Sequence, residues 1–396
     1  MKIAYFTNTY PRATDTFIRL EVLGLRQRGF EVNTYSVRKS GDEHDIDDEV
    51  INEKKNTSYI LPVTAKEIIY VLLKLVLKPV RLFKALVITF STLRPGLKGF
   101  ILQMAYFLEA MVLADRLQRD GIEHIHNHLG DNSGTVTLIA SKLSNIPYSI
   151  SIHGPHIFFD GMYWSLNEKT KHSKFIACIG YFCRSQMMLY TAPENWGKFE
   201  IIRCGVDLEK YTLRTNEAYS GTILFVGRLS EEKGVNVLID SLALLKSQHI
   251  KFKLTILGDG PSRENLEQQI NRLQLNDSVE LLGYVDQVTI REHLSMTDIF
   301  ILPSFAEGIP VSLMEAMATG VPVITTHVGG ISELVIDQQT GLLCYPSDPI
   351  GLANAIKTYI SDASFKQEVI SRSRMHVETA FNVDQQIDKL AKLLRQ

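Results

Sequence analysis

The order of its apolar segments restricts this chain to a small set of folds. In both halves, short apolar runs are each followed by a Gly- or Pro-containing loop and a helical pattern, which is typical of parallel strands covered by helices on both faces. The runs of the first half are Ile3–Phe6, Val32–Val37, His124–His128, Tyr148–Ile152 and Phe175–Ile179. Those of the second half are Thr222–Val226, Lys253–Leu257, Val279–Leu282, Ile299–Leu302 and Val321–Thr325. The sequence therefore predicts an α/β protein with two doubly wound, Rossmann-like parallel-sheet domains and a ligand cleft between them.

A polar stretch with no strong periodicity marks the domain boundary. With 396 residues, 45% of them hydrophobic, the chain is long enough for two domains that each bury a core. We expect the first domain over residues 1–207, a linker over 208–220 and the second domain over 221–376. The last run, Val383–Leu394, has a helical pattern with apolar Ile387, Leu390, Ala391 and Leu394.

Charge and cysteine content exclude some function classes. A formal net charge of −2 gives no general attraction to nucleic acid, which is therefore not an expected partner. The four cysteines show no CxxC spacing, and the chain starts with a strand pattern rather than a signal peptide. These features favour the reducing cytoplasm.

Two segments interrupt the strand–helix alternation. Residues 41–52 are acidic and are most simply a solvated loop. Residues 66–98 are apolar and cationic, with Pro79 expected to divide them into two helices; Lys74, Lys78, Arg81 and Lys84 fall on one side at helical spacing. Two interpretations of residues 66–98 remain open: helices that cover the core with lysines in water, or an interfacial surface for anionic lipid on the cytoplasmic face of the plasma membrane.

Two carboxylates lie eight residues apart around a helix start. Glu307 lies in a Gly/Pro turn after the strand Ile299–Leu302, and Glu315 lies about two turns into the helix predicted after Pro310. Eight residues of helix span about 12 Å, too far for two carboxyls that act on one glycosidic bond. Backbone N–H groups near Gly308 would face an anion at the helix start.

Cationic residues follow the first strand of the second half. Arg228 comes directly after Gly227, and Lys233 precedes an apolar helix over Val235–Leu245. Fixed charge and helix dipole together favour a phosphate there, although a surface ion pair of Arg228 with Glu231 is the simpler alternative. Gly258 belongs to a Gly-Asp-Gly turn, which is a weak signal alone. Neither a GxGxxG nor a P-loop pattern is present at this position.

Histidines cluster in the first half. His124, His126 and His128 alternate along one strand, a spacing that could also suit a metal ion, but no partner carboxylate or cysteine is evident and we expect no metal. His153 ends the strand Tyr148–Ile152, and a structural role is the alternative to a functional one.

Together these motifs resemble the GT-B glycosyltransferases of family 4, retaining enzymes that use nucleotide sugars. The matching motifs of the second half are Cys204-Gly205-Val206-Asp207, Gly227-Arg228-Leu229, Glu232-Lys233-Gly234, Gly258-Asp259-Gly260-Pro261, the Glu307/Glu315 pair, Gly320-Val321-Pro322-Val323, Gly329-Gly330-Ile331, Glu333-Leu334 and Thr340-Gly341-Leu342-Leu343. In the first half the match is looser: Tyr10-Pro11, Thr14 to Ile18, His126-Asn127-His128 and Ser151 to Gly154 resemble the exopolysaccharide and colanic-acid branch.

The resemblance implies a role for each matching residue. Glu307, with backbone groups of Gly308, Ile309, Pro310 and Val311, would hold the donor hexose; Glu315 would accept from the ribose hydroxyls. Arg228 and Lys233 would hold the diphosphate without a metal or other cofactor. Gly227, Gly258 and Tyr284 would contact the nucleotide, and His153 would face the donor sugar from the first domain. The end of the chain, from about residue 377 to 396, would return to the first domain.

The first loop departs from the family pattern. Residues 8–16 lack the Gly-Gly pair found in many relatives, and Thr14, Asp15 and Thr16 at a predicted helix start would substitute for it near a phosphate or acceptor. The expected function is transfer of a hexose to a carbohydrate or lipid-linked acceptor. A sugar-nucleotide epimerase, a phosphorylase and a non-catalytic nucleotide-sugar binder remain alternatives.

Overall fold

The computed structural model describes residues 1–214 and 219–396, which form two compact units. Unit 1 contains 1–203 and 387–396, and unit 2 contains 204–386. These limits differ from the expected ones at both junctions. Tyr211 belongs to unit 2 because its hydroxyl donates to Glu315 and its carbonyl accepts from Arg374. Of the linker expected over 208–220, residues 215–218 lie outside the described part of the chain.

Unit 1 is built on a seven-stranded sheet in which every recorded strand pair is parallel, in the order β3-β2-β1-β4-β5-β6-β7. Its strands are β1 Lys2–Thr9, β2 Glu31–Arg38, β3 Ser58–Tyr59, β4 His124–His128, β5 Tyr148–Ile152, β6 Ile176–Cys178 and β7 Phe199–Ile201. Its helices are α1 Thr16–Gln27, α2 Asp48–Asn56, α3 Ala65–Val76, α4 Pro79–Ser91, α5 Gly96–Arg119, α6 Asn132–Ser144, α7 His156–Phe159, α8 Leu166–His172 and α9 Tyr181–Leu189.

Unit 2 contains a six-stranded parallel sheet in the order β10-β9-β8-β11-β12-β13. Its strands are β8 Thr222–Val226, β9 Lys253–Leu257, β10 Val279–Gly283, β11 Ile299–Leu302, β12 Val323–Thr326 and β13 Leu342–Cys344. Its helices are α10 Val235–Ser247, α11 Arg263–Arg272, α12 Gln287–Met296, α13 Val311–Thr319, α14 Pro349–Ser361 and α15 Ala363–Ala380. The prediction of two Rossmann-like parallel-sheet domains is confirmed.

The last helix, α16 Val383–Arg395, has an apolar face that packs on unit 1. All four apolar residues predicted for this face are buried. Gly24 of α1 permits the approach, because a Cβ there would lie 2.3 Å from Ile387 Cδ1. The chain re-enters unit 1 at Ile387, ten residues later than the expected 377. The reason is that α15 belongs to unit 2, where the Arg374 guanidinium donates to the Tyr211 carbonyl.

The acidic segment is not the loop that its composition suggested. A short 3-10 turn covers Asp42–His44 and helix α2 starts at Asp48. The Asp47 carboxylate caps this helix by accepting from the Val50 N–H at 2.7 Å, and Val50 is fully buried. Lys54 at the far end forms ion pairs with Asp45 and Asp42. The prediction of a loop was wrong for residues 48–52, which belong to α2, and the acidic residues before the helix cap it and form ion pairs with its Lys54.

Helix α5 passes a simple test for a membrane span. Among the described residues, it is the one helix that is long and apolar enough to cross a membrane, judged by length and composition. Of the apolar stretch of this helix, 44% is buried inside the protein. Its buried residues concentrate in its second half, where Ala110 to Ala114 belong to the core of unit 1 and the helix packs on α6.

Candidate functional site

The loops that carry the predicted donor residues are neighbours because of the strand order. In unit 2 the order reverses between β8 and β11, so the loops after these two strands leave the same edge of the sheet side by side. Ligands of doubly wound sheets bind at this position. The loop after β8 contains Gly227, Arg228 and Lys233, and the loop after β11 contains Glu307 and Gly308.

Lys233 and Glu307 are in direct contact. The Lys233 ammonium lies 2.5 Å from Glu307 Oε1, and the Ser304 hydroxyl donates to the same oxygen at 2.7 Å. The Glu307 side chain is only 9% exposed and that of Lys233 is 20% exposed. The two predicted residues, 74 positions apart, therefore form one charged pair at the sheet edge.

Arg228 lies in the same loop after β8 as Lys233, and its positive charge helps to lower the pKa of Glu232. The guanidinium is exposed, and among the described residues no ion pair is recorded for it. The alternative of a surface pair with Glu231 is thus not formed. An exposed cation in this loop, at the carboxyl edge of the sheet, is available to an anionic ligand.

Glycines let the backbones of these loops touch. A Cβ on Gly258, where φ is +137°, would lie 1.9 Å from the Gly227 carbonyl oxygen. On Gly234, with φ +63°, it would lie 2.2 Å from the Pro303 carbonyl oxygen. The Phe305 N–H also donates to the Glu232 carbonyl at 2.7 Å. Only glycine allows backbone contacts this close, so the loops of the site are held against one another mainly by backbone contacts.

A second glycine contact fixes the turn that contains Glu307. A Cβ on Gly329, where φ is +55°, would lie 1.9 Å from the Glu307 carbonyl oxygen, and one on Gly330 would lie 2.6 Å from that of Gly308. The predicted Gly329-Gly330 motif is therefore a support for the Glu307 turn.

Helix α13 starts immediately after this turn. Pro310 has extended dihedral angles and is the N-cap, and the helix continues from Val311 to Thr319. The N–H groups of its first turn have no partner within the helix, as at every helix start, and Ile309 is buried beside them. This end of α13 can thus donate hydrogen bonds to a ligand held by Glu307.

Glu315 lies on the second turn of α13 in a buried environment. It is 6% exposed, and its Oε1 accepts from the Tyr211 hydroxyl at 2.9 Å. Burial raises the pKa of Glu315 to about 7, against the opposing effects of Tyr211 and Arg291. The partner Tyr211 was missed from the sequence because it lies 104 positions away.

The turn after β10 adjoins the Gly227 loop. The Gly258 N–H donates to the Gly283 carbonyl at 2.7 Å, which places Tyr284 next in the chain at the same edge. Arg263 of α11, not singled out from the sequence, donates to the Leu281 carbonyl at 3.2 Å. The predicted nucleotide residues Gly227, Gly258 and Tyr284 are thus brought together.

In unit 1 the predicted histidines lie in one cluster, in which His124, His126 and His128 are fully buried and His153 is half-buried. His153 follows β5, and its Nε2 lies 2.9 Å from His128 Nδ1 on β4. Burial and the neighbouring His128 lower the pKa of His153 well below its usual value. Contrary to the expectation of no partner carboxylate, Glu21 of α1 lies 3.1 Å from His128 Nε2. It was missed because α1 and β4 are more than 100 positions apart.

The loop that precedes α1 does not use Asp15 as a cap. The helix starts at Thr16, but the Asp15 side chain makes no capping bond and is 1% exposed. It accepts from the Arg12 N–H at 2.9 Å and pairs with the Arg12 guanidinium instead. Of the three loop residues, Thr14 is exposed and Thr16 half-buried.

Solved structures share this architecture over the whole chain. Sucrose-phosphate synthase from Thermosynechococcus elongatus superposes with a TM-score of 0.78 at 18% identity, covering 100% of this chain and 99% of that one. HepE of Anabaena in complex with UDP-glucose gives a TM-score of 0.76 at 18% identity, with coverage of 100% and 99%. Two Rossmann-like units of this kind define the GT-B fold, and this chain has that fold.

Sequence comparison identifies the family. The model for "Glycosyl transferases group 1" matches residues 215–376. The amylovoran biosynthesis glycosyltransferase AmsK of Erwinia amylovora is 28% identical over 100% of this chain and 99% of its own length. An uncharacterized glycosyltransferase of Methanocaldococcus jannaschii is 32% identical over 69% of this chain and 77% of its own length. The chain belongs to the group 1 glycosyltransferases and is an enzyme of that class.

A further relative supports the predicted branch. The putative colanic acid biosynthesis glycosyltransferase WcaL of Escherichia coli is 37% identical over 50% of this chain and 51% of its own length. The resemblance to exopolysaccharide and colanic-acid glycosyltransferases is thereby confirmed.

Proposed function

We propose that this glycosyltransferase is a retaining family 4 enzyme of polysaccharide or glycolipid biosynthesis. It transfers a hexose from a nucleoside-diphosphate sugar to a carbohydrate or lipid-linked acceptor. The observation that carries the proposal is the contact of Lys233 with Glu307 at 2.5 Å at the switch point of unit 2, where the loop of Lys233 also contains the exposed Arg228. The UDP-glucose complex of the structural neighbour HepE and the name of the relative AmsK support the substrate class.

The charges suit the departure of a diphosphate. Cleavage of the anomeric bond places negative charge on the leaving group, and Arg228 and Lys233 would stabilise it without a metal ion or other cofactor. We assign no protein nucleophile, since the leaving phosphate can take the proton of the acceptor hydroxyl on the same face of the sugar.

The remaining residues would orient the donor. Glu307, with the backbone at Gly308 and Ile309 and the helix start from Pro310 to Val311, would bind the hexose hydroxyls. Glu315 would bind the ribose. Gly227, Gly258 and Tyr284 would surround the rest of the nucleotide, because their turns meet at one sheet edge.

Substitution of the charged pair tests this assignment. We expect Lys233→Ala and Glu307→Ala each to lower kcat by about 100-fold or more, because fixed charges at a reacting centre contribute this much. Activity is measured after a thermal-shift panel of UDP-, GDP-, ADP- and dTDP-sugars has identified the donor, since a ligand of the folded state raises its melting temperature.

The matched control is a surface pair in the same unit. Lys253 and Glu280 lie 3.5 Å apart and are largely exposed, so Lys253→Ala and Glu280→Ala are expected to leave kcat unchanged. Full activity of both Lys233→Ala and Glu307→Ala would contradict the assignment. Inversion at the anomeric carbon, seen by NMR in the first product formed, would contradict the retaining mechanism alone.

We also propose that the enzyme is cytoplasmic and contacts an anionic membrane through residues 66–98. Helices α3 and α4 and the start of α5 expose a continuous series of large apolar side chains, named here the apolar surface: Ile69, Tyr70, Leu72, Leu73, Val76, Leu77, Val80, Phe83, Val87, Phe90, Leu93, Leu97, Phe100 and Ile101. Exposed cationic Lys66, Lys84 and Lys98 accompany it. Apolar side chains with cations among them suit the interface of an anionic bilayer.

Three of the four residues of the predicted cationic stripe are bonded to neighbouring helices, and only Lys84 of that stripe accompanies the apolar surface. Lys74 forms an ion pair with Asp115 at 2.8 Å, Lys78 donates to Gln118 at 3.3 Å, and Arg81 donates to the Ser144 carbonyl at 3.2 Å. These three cations thus bind α5 and the end of α6. Membrane contact would therefore rest mainly on the apolar side chains, with charge as a secondary contribution.

Vesicle sedimentation tests the apolar surface. We expect the triple variant Leu73→Ser, Leu77→Ser and Phe83→Ser to lose most of its partitioning, because each buried apolar side chain contributes about 1.5–3 kcal/mol. Phosphatidylcholine vesicles with and without phosphatidylserine separate the apolar contribution from the ionic one. The control is Leu189→Ser, Ile350→Ser and Met375→Ser, equally exposed but elsewhere. Equal partitioning of both triple variants would contradict membrane docking. So would a wild-type protein that does not bind vesicles but forms a dimer that the first triple variant loses.

A further inference from the structure

Four lysines and a histidine lie together at one edge of the unit 1 sheet. This group is named here the basic cluster and contains Lys84, Lys142, Lys171, His172 and Lys198. Helix α6 ends before β5, α8 ends before β6, and Lys198 directly precedes β7. Strands β5, β6 and β7 are parallel neighbours, so their amino ends meet at the same edge. The basic cluster therefore lies away from His153, which follows the other end of β5.

Lys84 joins the basic cluster from α4, which packs on α6. The Arg81 guanidinium of α4 donates to the Ser144 carbonyl at the end of α6 at 3.2 Å. Lys84 lies about one turn further along α4, and after burial its positive charge is the largest cause that lowers the pKa of Lys142. Its chain neighbour Phe83 is 69% exposed and belongs to the apolar surface. The basic cluster thus borders the apolar surface.

Positive charges prevail in the basic cluster. Lys142 Nζ lies 2.9 Å from His172 Nδ1, and His172 Nε2 lies 3.5 Å from Glu168 Oε2. Burial lowers the pKa of both Lys142 and His172, and the charges of Lys171 and Lys198 lower both further, against the opposing effect of Glu168. Two groups that can each carry a proton are therefore in contact among further cations. An anion bound beside them would relieve this repulsion.

Capping of helix ends is the competing explanation, because cations are favourable in the last turn of a helix. It accounts for Lys198, whose Nζ donates to three backbone carbonyls at the end of α8, at 3.1, 2.6 and 2.8 Å. It does not account for Lys84, which lies in the second turn of α4, or for Lys142, whose recorded bond goes to the His172 ring. Within the described part of the chain, the exposed ammonium groups of Lys84 and Lys171 have no recorded hydrogen bond or ion pair.

We propose that Lys84, Lys142 and Lys171, with His172, bind the phosphate of an anionic phospholipid at the border of the apolar surface. This inference rests on the proposed membrane contact and adds to it a phosphate site that lies mostly outside residues 66–98. A lipid is the expected source of the phosphate because it also supplies acyl chains for the exposed apolar side chains beside Lys84. Docking at the amino edge leaves the carboxyl edge of the sheet, where ligands of such sheets bind, open to substrates.

Vesicle sedimentation of the full chain tests the basic cluster. Lys142→Gln combined with Lys171→Gln is expected to lower partitioning onto equimolar phosphatidylcholine and phosphatidylglycerol vesicles about 25-fold, at about fivefold per lysine near an anionic surface. Partitioning onto pure phosphatidylcholine vesicles should not differ from that of the wild type. The matched control, Lys251→Gln combined with Lys253→Gln, removes two exposed lysines of unit 2 and should change partitioning by less than about twofold. Equal losses in both double variants would overturn the inference.

The pKa of His172 reports on the site itself and needs no lysine variant. It is measured in the wild type by proton NMR, with the resonance assigned by His172→Gln. Dihexanoyl phosphatidylglycerol bound beside the imidazole supplies an opposite charge, so this pKa should rise by about 1. An unchanged pKa at saturating lipid contradicts the proposal, even if the double lysine variant does not fold. The same rise with inorganic phosphate at the same concentration would indicate a site for soluble anions and would refute the lipid assignment.

Two outcomes separate this inference from the proposed membrane contact. If the wild type binds no anionic vesicles, the membrane contact fails and the phosphate site fails with it. If the wild type binds them and loses binding in the Leu73, Leu77 and Phe83 triple variant, the membrane contact holds. The phosphate site alone then fails if the variant with Lys142→Gln and Lys171→Gln still binds as well as its control.

Discussion

The two units build their polar sites in different ways. In unit 2 the loops after β8 and β11 are fixed by backbone contacts that only glycine permits, and the charged side chains stand on this rigid frame. In unit 1 the polar cluster consists of side chains from α1, β4 and β5 that bond to one another across the interior. A site built on backbone tolerates few substitutions at its glycines, whereas a side-chain cluster depends on a complete set of partners.

The largest expected effect comes from a methyl group in the glycine frame. Gly329→Ala would place a Cβ 1.9 Å from the Glu307 carbonyl oxygen at a φ of +55°. We expect donor affinity to fall by about 100-fold or more and the free energy of unfolding by about 2–4 kcal/mol, because such contacts force the backbone to move. Isothermal titration calorimetry and chemical denaturation measure the two effects.

The control for Gly329→Ala is a glycine whose added Cβ would contact no other atom. A Cβ on Gly197 of unit 1 meets nothing within 4 Å, and its φ is not in the left-handed region. Gly197→Ala is expected to change stability by less than about 0.5 kcal/mol. Equal effects at Gly197 and Gly329 would show that the site of unit 2 does not depend on its glycine contacts.

The second effect is a pH dependence that arises from Glu315 in unit 2. Glu315 has a pKa raised by burial from 4.5 to about 7, so its protonated form stabilises the folded state and this contribution is lost as pH rises through about 7. Glu315→Gln should remove up to roughly 3 kcal/mol of pH-dependent destabilisation between pH 5 and 9, taking 1.36 kcal/mol per pKa unit. Thermal melts of both proteins at several pH values are the measurement; parallel curves would show that the carboxyl is not buried as described.

A smaller effect on stability is expected in the side-chain cluster of unit 1. The Ser149 hydroxyl lies 2.7 Å from both His124 Nε2 and His126 Nδ1, which are fully buried. Ser149→Ala should lower the free energy of unfolding by about 1–3 kcal/mol, because two ring nitrogens lose their partner. We expect kcat to stay within about twofold of the wild type. A larger loss of kcat would mean that His124 and His126 have a functional and not only a structural role.

The smallest effect lies in the acidic segment, outside both sites. Asp47→Ala removes the cap of α2 and should cost about 1 kcal/mol without changing kcat. Urea denaturation together with a standard activity assay provides the test. A value near zero would restore the interpretation of residues 41–52 as a solvated loop.

Sequence periodicity was sufficient for most of the fold. Five strands, β4, β5, β8, β9 and β11, have the predicted bounds because each is a buried run with clear ends. The three strands that were missed, β3, β7 and β13, contain two or three residues and lie toward the ends of their sheets, so they show no recognisable alternation. Strand β12 starts at Val323 rather than Val321, after Pro322, which has no N–H to donate to a sheet.

The candidate sites were predictable to different degrees. The residues of the donor site lie in short motifs whose glycines and charges can be read locally, and strand order then brings Lys233 to Glu307. The partners Glu21, Ser304 and Tyr211 could not be singled out, since a Glu, Ser or Tyr in an ordinary segment acquires its role only from contacts across the fold. Likewise, the side chains of Lys74 and Arg81 point toward α5 and α6 only because α3 and α4 pack against these helices.

The pairing of Lys233 with Glu307 has a consequence for turnover. In the unliganded enzyme each charge neutralises the other. Under the proposed function, an intact donor gives each member of this pair a new partner. The diphosphate binds Lys233, and the hexose hydroxyls bind the Glu307 carboxylate. The nucleoside diphosphate left after transfer offers only the phosphate, so Lys233 can bind it only by leaving the largely buried Glu307 carboxylate without a cation, with the Ser304 hydroxyl as its recorded donor. We therefore expect the spent nucleotide to dissociate more readily than the intact donor, which would limit product inhibition.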